Sequence, residues 1–146
     1  MITDIYSQLR RDEGTRLFVY RDSRGFSTIG NGHNLDANPL PFDVSNGITQ
    51  EQCDQILCDD VARITAKLLS AIPWLSSLAT VRFGVFQNMA FNMGVGGVEE
   101  FHHDLADTQA GRYTQASLDM QQSAWYNQVG NRAKRLCTQM STGVWQ

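Results

Sequence analysis

The segment that most limits how this chain can fold begins at Thr49-Gln50-Glu51-Gln52 and continues with apolar residues at Cys53, Ile56, Leu57, Val61, Ile64 and Leu68. A threonine followed three residues later by a glutamine satisfies two of the donors that a helix start leaves open, one with each side chain. Steps of three and four then place the apolar residues on one stripe, and Pro73 bounds the run. At about 1.5 Å per residue the helix is on the order of 30 Å long, enough to connect two lobes. The rest of the chain must be arranged around it.

N-terminal to this helix the pattern changes twice. Asp4 to Asp12 reads as a short helix with Ile5 and Leu9 on one face, Thr3 as N-cap and Gly14 as the residue after its end. Glu13 then falls in its last turn. Leu17-Phe18-Val19-Tyr20-Arg21 has the β-branched and aromatic content of a strand, and Phe26 to Gly32 reads as a second. Between them Asp22-Ser23-Arg24-Gly25 has aspartate and glycine where a type I turn wants them. Asn34 to Gly47, with Pro39, Pro41 and Asn46-Gly47, reads as a loop or an irregular extension of the sheet.

After Pro73 the pattern is helical. Val81, Val85, Phe86, Met89, Ala90 and Met93 mark a central helix that Gly94, Gly96 and Gly97 should end. Shorter helices are expected over Val98–Asp107, Tyr113–Gln122 and Asn131–Met140. The fold class is α+β, one domain over 1–146, with a small β-hairpin lobe at about 14–60. The long helix joins it to a larger helical lobe formed by 1–13 and 61–146.

Composition excludes several classes. Hydrophobic residues at 42% and charged residues at 18% fit neither a disordered tail nor a coiled coil. No run reaches the roughly 20 apolar residues of a membrane span, and Met1 to Arg11 lacks a signal-peptide pattern. The reading is therefore a protein made in the cytoplasm, without membrane insertion. A net charge of −3 disfavours nucleic acid as a partner. The three cysteines, Cys53, Cys58 and Cys137, lack C-x-x-C spacing; all three are read as thiols in or near the core. The adjacent His102 and His103 would point apart on a helix, so no metal and no cofactor is expected.

Chemistry concentrates between Glu13 and His33. A helix C-terminus disfavours a further negative charge at Glu13, whereas a solvated turn favours the ionised form of Asp22. Two carboxyl groups in contrasting surroundings suit the acid and base of glycosidic hydrolysis. Most acidic pairs at this spacing are surface charges, so the pair alone does not decide the matter. Thr28 by itself reads as a strand former, and His33 as a structural histidine.

The wider pattern does decide it. Arg11-Asp12-Glu13-Gly14, Tyr20-Arg21-Asp22-Ser23-Arg24-Gly25 and Thr28-Ile29-Gly30-Asn31-Gly32-His33 together resemble the active-site signature of the T-even phage lysozymes, glycoside hydrolase family 24. The likeness continues through Gly47-Ile48-Thr49, Ala90-Phe91-Asn92-Met93-Gly94, Trp125-Tyr126-Asn127-Gln128 and Asn131-Arg132-Ala133-Lys134-Arg135. It closes with Thr142-Gly143-Val144-Trp145.

The resemblance implies an endolysin that cleaves the β-1,4 bond between N-acetylmuramic acid and N-acetylglucosamine in peptidoglycan, with inversion. It makes Glu13 the general acid, Asp22 the group that stabilises the oxocarbenium charge and helps place a water, and Thr28 the residue that holds that water. The two carboxyl groups of an inverting enzyme stand roughly 6.5–9.5 Å apart. The resemblance also pairs His33 with Asp60, brings Arg132 to Glu13, and puts Phe91 in the cleft between lobes, where ordinary core packing is an equal reading. It further implies a monomer that depends on a separate holin to reach the wall. The 34–47 region is shorter than in the T-even enzyme, so sugar contacts there are not carried over. A transglycosylase, or an inactive peptidoglycan-binding domain, is the alternative.

Overall fold

Thr49 and Gln52 form the reciprocal cap that their spacing predicts. The Gln52 amide donates to Thr49 Oγ1 at 3.1 Å and the Thr49 amide to Gln52 Oε1 at 2.9 Å. The helix they start, α2, runs Gln50–Ala71. In the computed structural model, which describes residues 1–146, it is one of seven helices beside three strands. In chain order the other elements are α1 (Ile5–Glu13), β1 (Arg16–Arg21), β2 (Ser27–Gly30), β3 (His33–Asn34), a 3-10 turn (Pro73–Ser77), α3 (Thr80–Glu99), α4 (His102–Gln109), α5 (Tyr113–Gln121), α6 (Ala124–Val129) and α7 (Asn131–Thr142). No helix is long and apolar enough to cross a membrane.

The chain divides into two compact units, Tyr6–Arg63 and Met1–Ile5 with Ile64–Gln146. The sheet lies in the Tyr6–Arg63 unit together with most of α1. Within that unit Arg10 of α1 pairs with Asp54 of α2 at 3.4 Å.

In the Tyr6–Arg63 unit the sheet is antiparallel with strand order β1-β2-β3. Tyr20 lies opposite Thr28 and Arg21 opposite Ser27, and an irregularity separates these pairs from Arg16 opposite Gly30. The Asp22–Gly25 turn closes with Gly25 N donating to Asp22 O at 3.0 Å. Beneath the sheet Ile29, Ile48, Cys53 and Ile56 form a small buried core with Leu17 and Leu35 against it. Each fully buried aliphatic side chain contributes about 1.5–3 kcal/mol. The expected second strand is shorter than Phe26–Gly32, and the chain reverses at Asn31-Gly32 into β3, which pairs Ile29 with His33. Two residues are too few to show an alternating pattern, so β3 is legible only from the register.

The second unit packs around α3, whose Val85, Phe86 and Met89 are fully buried with Leu68, Leu75, Val98, Met120, Leu136 and Met140. Gly94, at φ 81° and ψ 161°, breaks this helix as its glycines suggest, but the chain resumes helical turns to Glu99. Val98 is buried in that continuation, so α4 starts at His102 and not at Val98. α6 is an element beyond the expected set. Ser123 starts it, its Oγ accepting from the Tyr126 amide at 3.2 Å.

One cysteine corrects the reading of the thiols. Cys53 and Cys137 are buried, but Cys58 is exposed. Five residues turn a helix by about 140° beyond one full turn, so Cys53 and Cys58 cannot share the buried stripe of α2.

Candidate active site

Glu13 is the last residue of α1, and the Gly14 amide closes that helix on the Arg10 carbonyl at 3.0 Å. Its carboxylate lies directly over Gly32. A methyl group on Gly32 would stand 2.8 Å from Glu13 Oε2, and Gly32 sits at φ +75°, where side chains are rare. The segment after Glu13 is held as well. Asn31, 2% exposed, donates from Nδ2 to Gly14 O at 2.6 Å and to Thr15 Oγ1 at 2.8 Å, and its Oδ1 accepts from Cys53 Sγ at 3.3 Å.

Asp22 organises its own turn. Its Oδ1 accepts from the amides of Arg24 and Phe26, both at 2.9 Å, so the turn's hydrogen bonds leave Oδ2 unused. Thr28 is 3% exposed, and its hydroxyl donates to Phe26 O at 2.8 Å. With its proton committed, that oxygen has lone pairs free to accept from a water.

Tyr20, across the ladder from Thr28, links these groups. Burial pushes its phenol pKa up, the negative charge of Glu13 adds to this, the Arg16 guanidinium opposes it, and Asp22 raises it further. Arg16 stacks over the same ring, 4.4 Å from its centroid. One phenol thus feels both carboxylates. A carboxyl group at a helix end, a second carboxyl group at a turn and an accepting hydroxyl are groups that can supply a water-consuming acid/base step.

Behind the strands His33 Nδ1 meets Asp60 at 2.8 Å (Oδ2) and 3.0 Å (Oδ1), while Nε2 faces Asn38 O at 2.7 Å. Arg63 donates to Asp60 Oδ1 at 2.7 Å. Burial pulls the His33 pKa down, but the hydrogen bond and charge of Asp60, with the Asn38 carbonyl, outweigh it and leave it raised. Both ring nitrogens face acceptors, which the imidazolium alone can satisfy.

In the second unit Arg132 Nε donates to the buried Asn88 Oδ1 at 2.8 Å, and Phe91 is half-buried on α3 just before the Gly94 break. A concavity of about 540 Å³ is bordered by Met93, Phe101, Asp104, Asp119, Ser123 and Trp125. Asp104 is 1% exposed. Burial pushes its pKa up to about 7 against the opposing hydrogen bond from Thr108, with help from the charges of Asp119 and Asp107. No group of three His, Cys, Asp or Glu side chains is placed to hold a metal ion.

Sequence reasoning did not single out Tyr20 or Asn31, read Gly32 as serving strand geometry, and left Asp104 without a role although it falls near a family substrate-contact position. The signal for Asn31 and Gly32 was present in Gly30-Asn31-Gly32, where two glycines flank a polar residue next to an apolar strand. Nothing local marks Tyr20 or Asp104, whose importance comes from what surrounds them.

The family described as phage lysozyme matches residues 10–140. Among curated relatives the chain is 34% identical to the pre-baseplate central spike protein Gp5 of Enterobacteria phage T4, over 92% of this chain and 27% of that one. It is 27% identical to the probable T4-type lysozyme 1 of Dictyostelium discoideum, over 99% of this chain and 97% of that one. To the endolysin of Salmonella phage P22 it is 31% identical, over 60% of this chain and 59% of that one. It therefore spans about a quarter of the spike protein and nearly the whole of the Dictyostelium protein.

Proposed function

The chain belongs to the phage lysozyme family, and on that premise we propose that this lysozyme-type glycoside hydrolase cleaves the β-1,4 bond between N-acetylmuramic acid and N-acetylglucosamine in peptidoglycan, with inversion. Glu13 protonates the leaving glycosidic oxygen. Asp22 stabilises the positive charge that develops on the sugar ring and orients the attacking water. Thr28 accepts a hydrogen bond from that water, so the lone pair of the water points at the anomeric carbon. The bond from carbon to the bridging oxygen breaks as the bond to water forms; the proton lost by the water passes to the Asp22 carboxylate on the water's side of the ring, and Glu13 regains its own proton from solvent.

The observation that carries this reading is the arrangement around Tyr20, which is opposite Thr28 in the ladder and within the electrostatic reach of both Glu13 and Asp22. Phe91 and Arg132 enter through the family motif alone, Phe91 as a sugar contact and Arg132 as a support for the acid. His33 and Asp60 brace the sheet behind the reacting groups. Relatives named endolysin support a lytic role, for which we propose a monomer that reaches the cell wall after a separate holin opens the membrane.

Digestion of purified peptidoglycan tests the reading. Wild-type protein should release new reducing ends on N-acetylmuramic acid, first as the α-anomer, and Glu13→Gln should release none. An anhydro-sugar product, or a first-formed β-anomer, would replace inverting hydrolysis with another chemistry.

A further inference from the structure

Asn31 joins two structural facts that concern Glu13. Its side chain holds the Gly14 carbonyl, in the Gly14–Thr15 peptide one residue beyond Glu13, at 2.6 Å. Its neighbour in the chain, Gly32, provides the bare Cα against which the Glu13 carboxylate rests. The main chain just after Glu13 and the Glu13 side chain are therefore both referred to one two-residue turn. That turn follows β2, the strand that carries Thr28. The amide is also fixed in itself. Both Nδ2 protons are used, on Gly14 O and Thr15 Oγ1, and Oδ1 accepts from the buried Cys53 thiol in the first turn of α2. With both donors placed, the buried amide has one orientation, because the flipped amide would set Oδ1 against the Gly14 carbonyl.

We propose that Asn31 is a positioning residue of the reaction, one that fixes the distance and direction from the Glu13 carboxyl to the water site at Thr28. The proposal rests on the reading of Glu13 as the acid. A general acid works only within hydrogen-bond reach of the oxygen it protonates, and displacements of about 1 Å can cost a hundredfold in rate. Removing the Asn31 bonds frees the Gly14–Thr15 peptide and lets the carboxylate slide on Gly32, so turnover falls while the surface that binds the sugar chain is retained.

The test compares Asn31→Leu, Thr15→Val and Cys53→Ala with the wild type. Asn31→Leu has a similar volume and no donors, Thr15→Val removes one of the two acceptors, and Cys53→Ala leaves both Nδ2 bonds in place. Two readouts are taken: kcat and KM on solubilised peptidoglycan, and the ¹³C carboxyl resonance of Glu13. Asn31→Leu should lower kcat by about 10- to 100-fold with KM within about twofold, and should move the Glu13 resonance. Thr15→Val should fall between, and Cys53→Ala should stay within about twofold of the wild type. A Glu13 resonance that stays put in a folded Asn31→Leu protein overturns the proposal, as does a loss expressed entirely in KM. Should Asn31→Leu fail to fold, Asn31→Ser, which keeps one donor in a smaller side chain, is read by the same criteria. A resonance that moves while kcat is unchanged also overturns it, because Asn31 would then hold Glu13 without serving the reaction; the catalytic assignment of Glu13 fails only if Glu13→Gln stays active, which separates the two claims.

Discussion

The Glu13 carboxylate packs on the Cα of Gly32 so closely that a methyl group there would approach Oε2 to 2.8 Å. Gly32→Ala therefore has two separable effects. The φ of +75° strains any other residue, at a cost of about 1–2 kcal/mol. The methyl group also pushes the carboxylate off its seat, which should lower kcat by about a hundredfold. Urea unfolding measures the first and initial rates on peptidoglycan measure the second. If activity falls only as far as the folded fraction does, the contact has no part in catalysis.

Thr28→Val separates chemistry from stability in the opposite sense. The Phe26 carbonyl that Thr28 holds also accepts from the Asp22 amide at 3.0 Å, so it keeps a partner when the hydroxyl is removed. Stability should fall by only about 1 kcal/mol. Activity should fall at least about a hundredfold, since the acceptor for the water is gone, and Thr28→Ser should restore most of it. A Val variant with near wild-type rates would remove the hydroxyl from the mechanism.

Much of the fold is legible in the sequence because local chemistry and tertiary packing agree. Thr49 and Gln52 cap α2 and its stripe is buried; Asp22 and Gly25 make the turn; Gly14 ends α1. Elements that escape prediction depend on the rest of the molecule. β3 is two residues long and exists through pairing with Ile29. α6 needs Ser123 to cap a stretch whose Trp125 is drawn into the core. Val98 follows three glycines, yet its burial extends α3 past them. Of the site, Glu13, Asp22 and Thr28 stand in a recognisable motif, whereas Asn31 and Tyr20 matter through contacts made across 17 residues of chain in one case and across a strand pair in the other.

The His33–Asp60 pair should make stability depend on pH. In the folded protein the His33 pKa is raised above its ordinary value of 6.5, so the folded state holds the proton more tightly than the unfolded one. The stabilisation is complete below about pH 6.5 and is lost as pH rises through the raised value. Asp60→Asn should abolish this decline. It should also destabilise the protein at pH 6 by about 3 kcal/mol, because it leaves His33 and Arg63 without their carboxylate. Denaturant midpoints between pH 5 and pH 9 measure both. A decline that persists in Asp60→Asn would have to come from another group.

Asp104 predicts a stabilising substitution. Its folded pKa of about 7, against an ordinary 3.8, means that folding costs more once the unfolded carboxyl ionises. The sign follows from linkage: the protein is most stable with respect to this group below about pH 4, and that advantage is lost progressively up to about pH 7. A shift of this size is worth up to ~4 kcal/mol in total. The side-chain amide introduced by Asp104→Asn can still accept from Thr108, which donates to Asp104 Oδ1 at 3.1 Å, and it carries no charge beside Asp107 and Asp119. The variant should therefore unfold at higher denaturant than the wild type at pH 8, with the difference shrinking to near zero by pH 4. Equal midpoints at pH 8 would mean that the carboxylate is hydrated or paired in solution and that its burial imposes no cost.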